Sequence, residues 1–258
     1  MRGAGGQAPI LTRVLMWPAA LALSALGSAG GLLTAAILLF ASEKTRTRAV
    51  PWLVSYAVGT LLGAALLGLV PQALESLPAP HALGTLLAGI ITFFILEKLV
   101  LWRHSHDDHE FDVHRSTVTL VIVGDAVHTF VDGIVIAAAT LVSLPLGMTT
   151  ALAVAAHEIP QEAGDFAILL AAGHSRSRAF LLNLTSAIGG VIGASVMLMF
   201  GSHAPGVVPY VLSFAAGSFM YVAMADLIPT LHRGSLDRNA VRQLILIGLG
   251  IGTMVLVQ

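Results

Sequence analysis

Eight apolar runs, each close to the roughly 20 residues that a helix needs to cross the hydrocarbon core of a bilayer, leave this chain little choice of fold. They cover 17–41, 51–70, 81–102, 117–142, 146–172, 178–200, 206–230 and 239–257. A backbone placed in lipid must satisfy its own hydrogen bonds, and a run of this length does so within itself as an α-helix. The expected class is therefore all-α, a polytopic membrane protein with eight transmembrane helices. The runs occupy nearly all of the 258 residues, so a single integral membrane domain over 1–258 is expected. Composition agrees: 10% of the residues are charged, against about 25% in an ordinary soluble domain, and the mean hydropathy is +0.87.

An even number of spans puts both termini on one side, and the basic residues say which. Lys44, Arg46 and Arg48 lie between the first two runs, and Lys98, Arg103 and Arg115 flank the third connection. Arg176 and Arg178 follow the fifth run; Arg233, Arg238 and Arg242 lie around the last connection. The alternate connections, near 71–80, 142–147 and 201–207, hold no Lys or Arg. The positive-inside rule places the basic connections in the cytoplasm and both termini outside it. A plasma (cell inner) membrane, multi-pass location is the matching expectation. Arg2 and Arg13 ahead of an apolar stretch also suit a secretory leader, but the run continues from Trp17 to Phe40, longer than a leader core of about 7–15 residues. It is read as the first span.

The net charge of −1 gives no reason to expect nucleic acid, and with no cysteine a metal ion would have to be held by His, carboxylate, amide or Met. Stretches such as GSAGG (27–31) and GGVIGAS (189–195) place small residues at helical spacing, as close helix packing in membranes requires.

Polar residues inside the spans are costly, about 3 kcal/mol or more for a charge at the bilayer centre, and here they cluster. The fourth run contains GDAVHTFVDG, in which His128 and Asp132 share a helical face with Asp125 one turn earlier. The fifth contains HEIPQEAGDF: His157, Gln161 and Asp165 form one row, Glu158 and Glu162 the next, with Pro160 between them. The seventh adds Asp226, followed by a proline. Facing carboxylates in a low dielectric repel unless protons or a cation lie between them. Imidazole with carboxylate suits Zn²⁺ and, with more oxygen, Mn²⁺ or Fe²⁺.

HTFVDG and HEIPQEAGDF together, in a chain of eight spans with a His-rich stretch between the third and fourth, resemble the ZIP family of Zrt- and Irt-like metal transporters, close to its HEIPHE-type branch. The resemblance implies transport of divalent metal ions toward the cytoplasm, zinc first and Cd²⁺, Fe²⁺ or Mn²⁺ as alternatives. It also implies an elevator-like form of alternating access and a homodimer in the lipid bilayer. Carried onto this chain, it makes His128, Asp132, His157 and Gln161 candidates for one metal position, and Asp132, Glu158 and Gln161 candidates for an adjacent one. Glu162 stands in the neighbouring row, and Asp226 matches an acidic residue that guides the ion or its protons.

Three departures bear on the site. Thr129 stands where the family usually has Asn, Gln161 where the branch has His, and Ala64 and Gly68 where many members carry an Asp and a His. One metal position built mainly on His128, Asp132, His157 and Glu158 is therefore expected. The stretch RHSHDDHEFDVHR (103–115), cytoplasmic by the charge rule, is a candidate for loose metal capture. An enzyme is not expected: HEIPQ lacks the second histidine of a zinc protease helix. A proton-coupled carrier of another solute and a metal-sensing membrane protein are the alternatives.

Overall fold

The structure, a computed structural model, describes residues 10–104, 113–231 and 238–257. The centre of the His-rich stretch lies outside these, so the expectation about metal capture there is not addressed by the fold. The helices are α1 (Ile10–Phe40), α2 (Glu43–Gly63), α3 (Val70–Ser76), α4 (Ala79–His104), α5 (Val113–Val142), α6 (Leu144–Ala171), α7 (Arg176–His203), α8 (Val208–Tyr221), α9 (Ile228–Leu231) and α10 (Arg238–Val257). A π turn over Ala64–Leu69 joins α2 to α3, and another over Val222–Leu227 joins α8 to α9. The described residues thus form eight helical rods, in the order of the eight apolar runs.

The second rod departs most from its run, spanning Glu43 to Ser76 instead of 51–70. Ser42 caps it by accepting from the Thr45 amide at 3.2 Å, which satisfies a donor that the first helical turn leaves open. Lys44 and Arg48 therefore ride on helix and not on a loop. Both π turns lie just ahead of a proline, Pro71 and Pro229. Proline has no N–H to continue the ladder, and a wider turn absorbs the interruption.

Seven rods are long and apolar enough to cross a membrane. The remaining one, α6, is as long, but its run is broken by His157, Glu158, Gln161, Glu162 and Asp165. His157, Glu158 and Glu162 are buried inside the bundle, so the polarity of α6 faces protein. Pro160 does not interrupt it; α6 runs unbroken from Leu144 to Ala171.

The rods sort into two groups. In the first, α1, α5, α6 and α7 pack against one another; in the second, α2 packs along α10 and α4 along α8, with α3 against α8. Glycine brings the backbones together inside each group. A β-carbon at Gly133 of α5 would collide with the Gly190 carbonyl of α7, and one at Gly193 of α7 with the Phe130 carbonyl of α5. In the second group Gly59 meets Ile247 of α10, and Gly217 of α8 meets Leu86 of α4. Hydrogen bonds add to these pairings: Ser213 Oγ donates to the Ala82 carbonyl at 2.6 Å, and Tyr56 Oη to Thr253 Oγ1 at 3.2 Å.

Between the groups α2 lies on α6 while α8 and α4 lie on α5. This seam is made of side chains: Leu61, Ala65 and Leu69 of the second rod and Ala215, Ala216 and Phe219 of α8 join Val135, Ile136, Ala153 and Val154 in one buried core.

Candidate metal site

The α5–α6 hairpin sets the depth of the polar residues. Its turn is fixed by Ser143, whose hydroxyl accepts from the Leu146 amide at 3.3 Å, and the helices run back antiparallel from there. Residues equally far from the turn meet, so His128 arrives opposite His157 and Glu158, with Asp132 on the same face one turn nearer the hairpin end. His128 Nε2 and His157 Nε2 are 3.2 Å apart. Asp132 Oδ2 is 3.5 Å from the first and 3.4 Å from the second. Glu158 Oε1 is 3.8 and 4.0 Å from them. All four ligand atoms lie within 4.8 Å of one another. Four donors at zinc bond lengths in a tetrahedron are separated by about 3.3 Å, so the set suits such an ion after small adjustments.

The neighbouring atoms prepare the donors. His157 Nδ1 lies 3.0 Å from the Ala153 carbonyl one turn back; a proton shared there makes Nδ1 the donor and leaves the Nε2 lone pair facing the cluster. Asp132 Oδ2 and Glu158 Oε1 are buried without a hydrogen-bond partner. Buried carboxylate oxygens in that condition are expensive unless a cation or a proton meets them. A backbone also presses on the site: a β-carbon at Gly31 of α1 would collide with the Glu158 side chain. Gly31, at the end of the GSAGG stretch, thus leaves the room that Glu158 occupies.

A second group of acidic side chains adjoins the first. Asp125, Glu158 and Glu162 bring one oxygen each within 4.8 Å of the others, so Glu158 belongs to both. Asp125 Oδ2 and Glu162 Oε2 are again buried and unpartnered. The sequence reading named Glu158 with Asp132 and Gln161 for an adjacent position; the geometry gathers Asp125 and Glu162 around Glu158 instead. Gln161 is turned to this side, its Nε2 donating to Asp125 Oδ1 at 3.3 Å. A signal for Asp125 was present. It lies 18 residues before Ser143 and Glu162 lies 19 after, so a hairpin about that serine brings them level.

Two candidates stand apart from both groups. Thr129 donates its hydroxyl to the Asp125 main-chain carbonyl at 2.8 Å, and its methyl lies where a β-carbon on Gly190 would touch it. The hydroxyl is thereby occupied by its own helix, a common fate of threonine inside a helix. Asp226 sits in the π turn of the seventh rod, exposed, and in neither group of potential ligands.

Comparison with known proteins places the chain in a lineage. The family described as ZIP Zinc transporter matches residues 101–258. "Zinc transporter ZIP13" of Pongo abelii is 36% identical over 231 residues, covering 82% of this chain and 69% of that protein. The Homo sapiens protein of the same name is 31% identical over 269 residues, covering 82% and 72%. "Zinc transporter ZIP10" of Mus musculus is 37% identical over 153 residues, covering 57% of this chain and 18% of that protein. A family match over more than half of the chain, a relative aligned along most of both lengths, and eight rods with a His and carboxylate cluster on the fourth and fifth lead to one conclusion: this polytopic membrane protein belongs to the ZIP zinc transporter family.

Proposed function

We propose that the chain carries a divalent metal ion, zinc first among Zn²⁺, Cd²⁺, Fe²⁺ and Mn²⁺, across a membrane toward the side of its basic connections. The observation that carries this is the convergence of His128 Nε2, His157 Nε2, Asp132 Oδ2 and Glu158 Oε1 within 4.8 Å. Two nitrogens and two oxygens favour zinc over the harder manganese. The ion enters as substrate, displacing protons from its ligands, so its apparent affinity falls as the medium is acidified. A proton-coupled carrier of another solute has no need of two imidazole nitrogens aimed at one point, and the relatives' names favour the metal.

The mechanism is alternating access in an elevator-like form. The group α1, α5, α6 and α7 carries the ion, and the group α2, α4, α8 and α10 forms the wall against which it moves. The second acidic group, Asp125, Glu158 and Glu162, lies toward the basic connections and receives the ion through Glu158, the residue common to both. Asp226 guides ions or protons farther along that side. The termini lie outside the cytoplasm, the membrane is the plasma membrane, and two copies pair as a homodimer.

Radiolabelled zinc uptake into proteoliposomes tests the reading. Wild type should accumulate the ion, while His157→Ala and Asp132→Ala, at matched folded protein, should retain less than about one hundredth of that rate. Wild-type uptake in either variant would sink the assignment.

A further inference from the structure

The two site histidines are braced from across the seam. The Phe93 ring of α4 stands 6.1 Å from the His128 ring at 73° between planes, and the Phe219 ring of α8 stands 5.9 Å from His157 at 60°. The imidazoles themselves are 5.4 Å apart at 87°. Phe93, His128, His157 and Phe219 thus form a continuous chain of edge-to-face rings, a favoured aromatic geometry. Its two ends belong to one helix group and its two middle members to the other.

One end is buried, and α4 is tied to α8 close to the other. Phe219 is 2% exposed. One turn beyond Phe93, Glu97 accepts a hydrogen bond from Tyr221, which ties α4 to α8, and Phe94 stacks edge-on against the same tyrosine at 6.5 Å. His157 has the Ala153 carbonyl to fix its plane, whereas the polar neighbours of His128 are the other members of the cluster. Among the described residues, the Phe93 ring is thus a contact that orients His128 from outside the cluster.

We propose that Phe93 and Phe219 are positioning residues of the metal site, supplied by the opposite helix group. They hold both imidazoles so that their Nε2 atoms converge, and they must part from them each time the ligand-bearing group moves. The site is then complete only while the groups are in register, and it loosens as they separate. This rests on the transport reading above. It goes beyond that reading in making affinity a property of the seam as well as of the four ligands. An ion bound with the phenylalanines in place is released more readily once they have been left behind, which is what delivery requires.

Co²⁺ binding to purified protein, followed by its visible absorption, together with zinc uptake in proteoliposomes, tests the proposal. Phe93→Ala and Phe219→Ala should each weaken Co²⁺ binding about tenfold, the effect typical of losing an orienting neighbour, and shift the absorption of the bound ion. Half-saturating zinc should rise by a similar factor while the maximal rate falls much less. Phe93→Tyr and Phe219→Tyr, which keep the ring, should restore the spectrum. Phe93→Leu and Phe219→Leu keep most of the buried volume and lose the ring; they serve where alanine unfolds the protein and should show the same spectral shift. Loss of maximal rate alone, with affinity and spectrum unchanged in the alanine and leucine variants, would overturn the proposal. Wild type that neither binds Co²⁺ nor takes up zinc would sink the transport reading and this one together; wild-type binding with unaltered variants would sink this one alone.

Discussion

The contact between α5 and α7 and the seam between the two helix groups are both closely packed, yet they are built from different material. Along α5 and α7 the backbones themselves touch, with Gly133 against Gly190 and Gly193 against Phe130. Across the seam alanine, leucine, valine and phenylalanine side chains meet. A backbone seated in a glycine notch fits at one axial position, because one step along the helix replaces the glycine by a side chain that collides. Apolar side chains can exchange neighbours in small shear steps. The difference teaches where the molecule is one piece and where it can be divided: in the cycle proposed above, each group would travel as a unit and the seam would be the surface of motion.

The comparison breaks first if the notch is not rigid. Gly133→Leu should have the largest effect, because even a β-carbon there strikes the Gly190 backbone. Overpacking against a backbone that cannot yield costs about 3 kcal/mol or more, so little monodisperse protein should be recovered in detergent. Well-folded, active Gly133→Leu protein would show the notch to be slack.

Gly31→Ala comes next. The added methyl collides with Glu158, so it should displace a ligand while leaving most of the packing in place, and zinc affinity measured by calorimetry should fall about tenfold. The smallest effect belongs to Gly84→Ala, where no atom lies within 4 Å of the new carbon. Replacing a glycine inside a helix by alanine stabilises by about 0.5–1 kcal/mol, so the midpoint of thermal unfolding should rise slightly and uptake should not change. A loss of stability at Gly84 equal to that at Gly133 would erase the distinction between notch and open surface.

Much of this was legible in the sequence. Eight rods follow from run length, since lipid admits few alternatives to the helix. The start of α2 at Glu43 was not, because hydropathy falls at Lys44 and Arg48 while the helix needs only the Ser42 cap to begin. The two π turns were hidden for a similar reason: hydropathy does not sense an extra residue per turn, and only Pro71 and Pro229 hint at it. The first ligand set was visible as faces, His128 with Asp132 and His157 beside Glu158. The second was half visible, since pairing Asp125 with Glu162 needs the axial register of two helices and not the periodicity of one. Thr129 matched a family position by residue count, but a threonine hydroxyl returns to its own helix where an asparagine amide reaches out. Phe93 and Phe219 carried no signal in an apolar run; their place beside the histidines exists only in three dimensions.

The pairing of two carboxylates with two neutral imidazoles in the first ligand set has an electrical consequence. Ionised Asp132 and Glu158 balance a divalent ion, so the loaded cluster is neutral, whereas the empty one bears two negative charges unless protons replace the metal. Moving one elementary charge through a membrane potential is worth about 2.3 kcal/mol per 100 mV. In the cycle proposed here, the loaded site passes inward without feeling the voltage. An empty site that returns without protons is negative and is pushed out by a negative interior, whereas one that takes up two protons returns neutral. A gain in maximal zinc uptake when vesicles are polarised negative inside would mark a return without protons, and an unchanged rate a return with them.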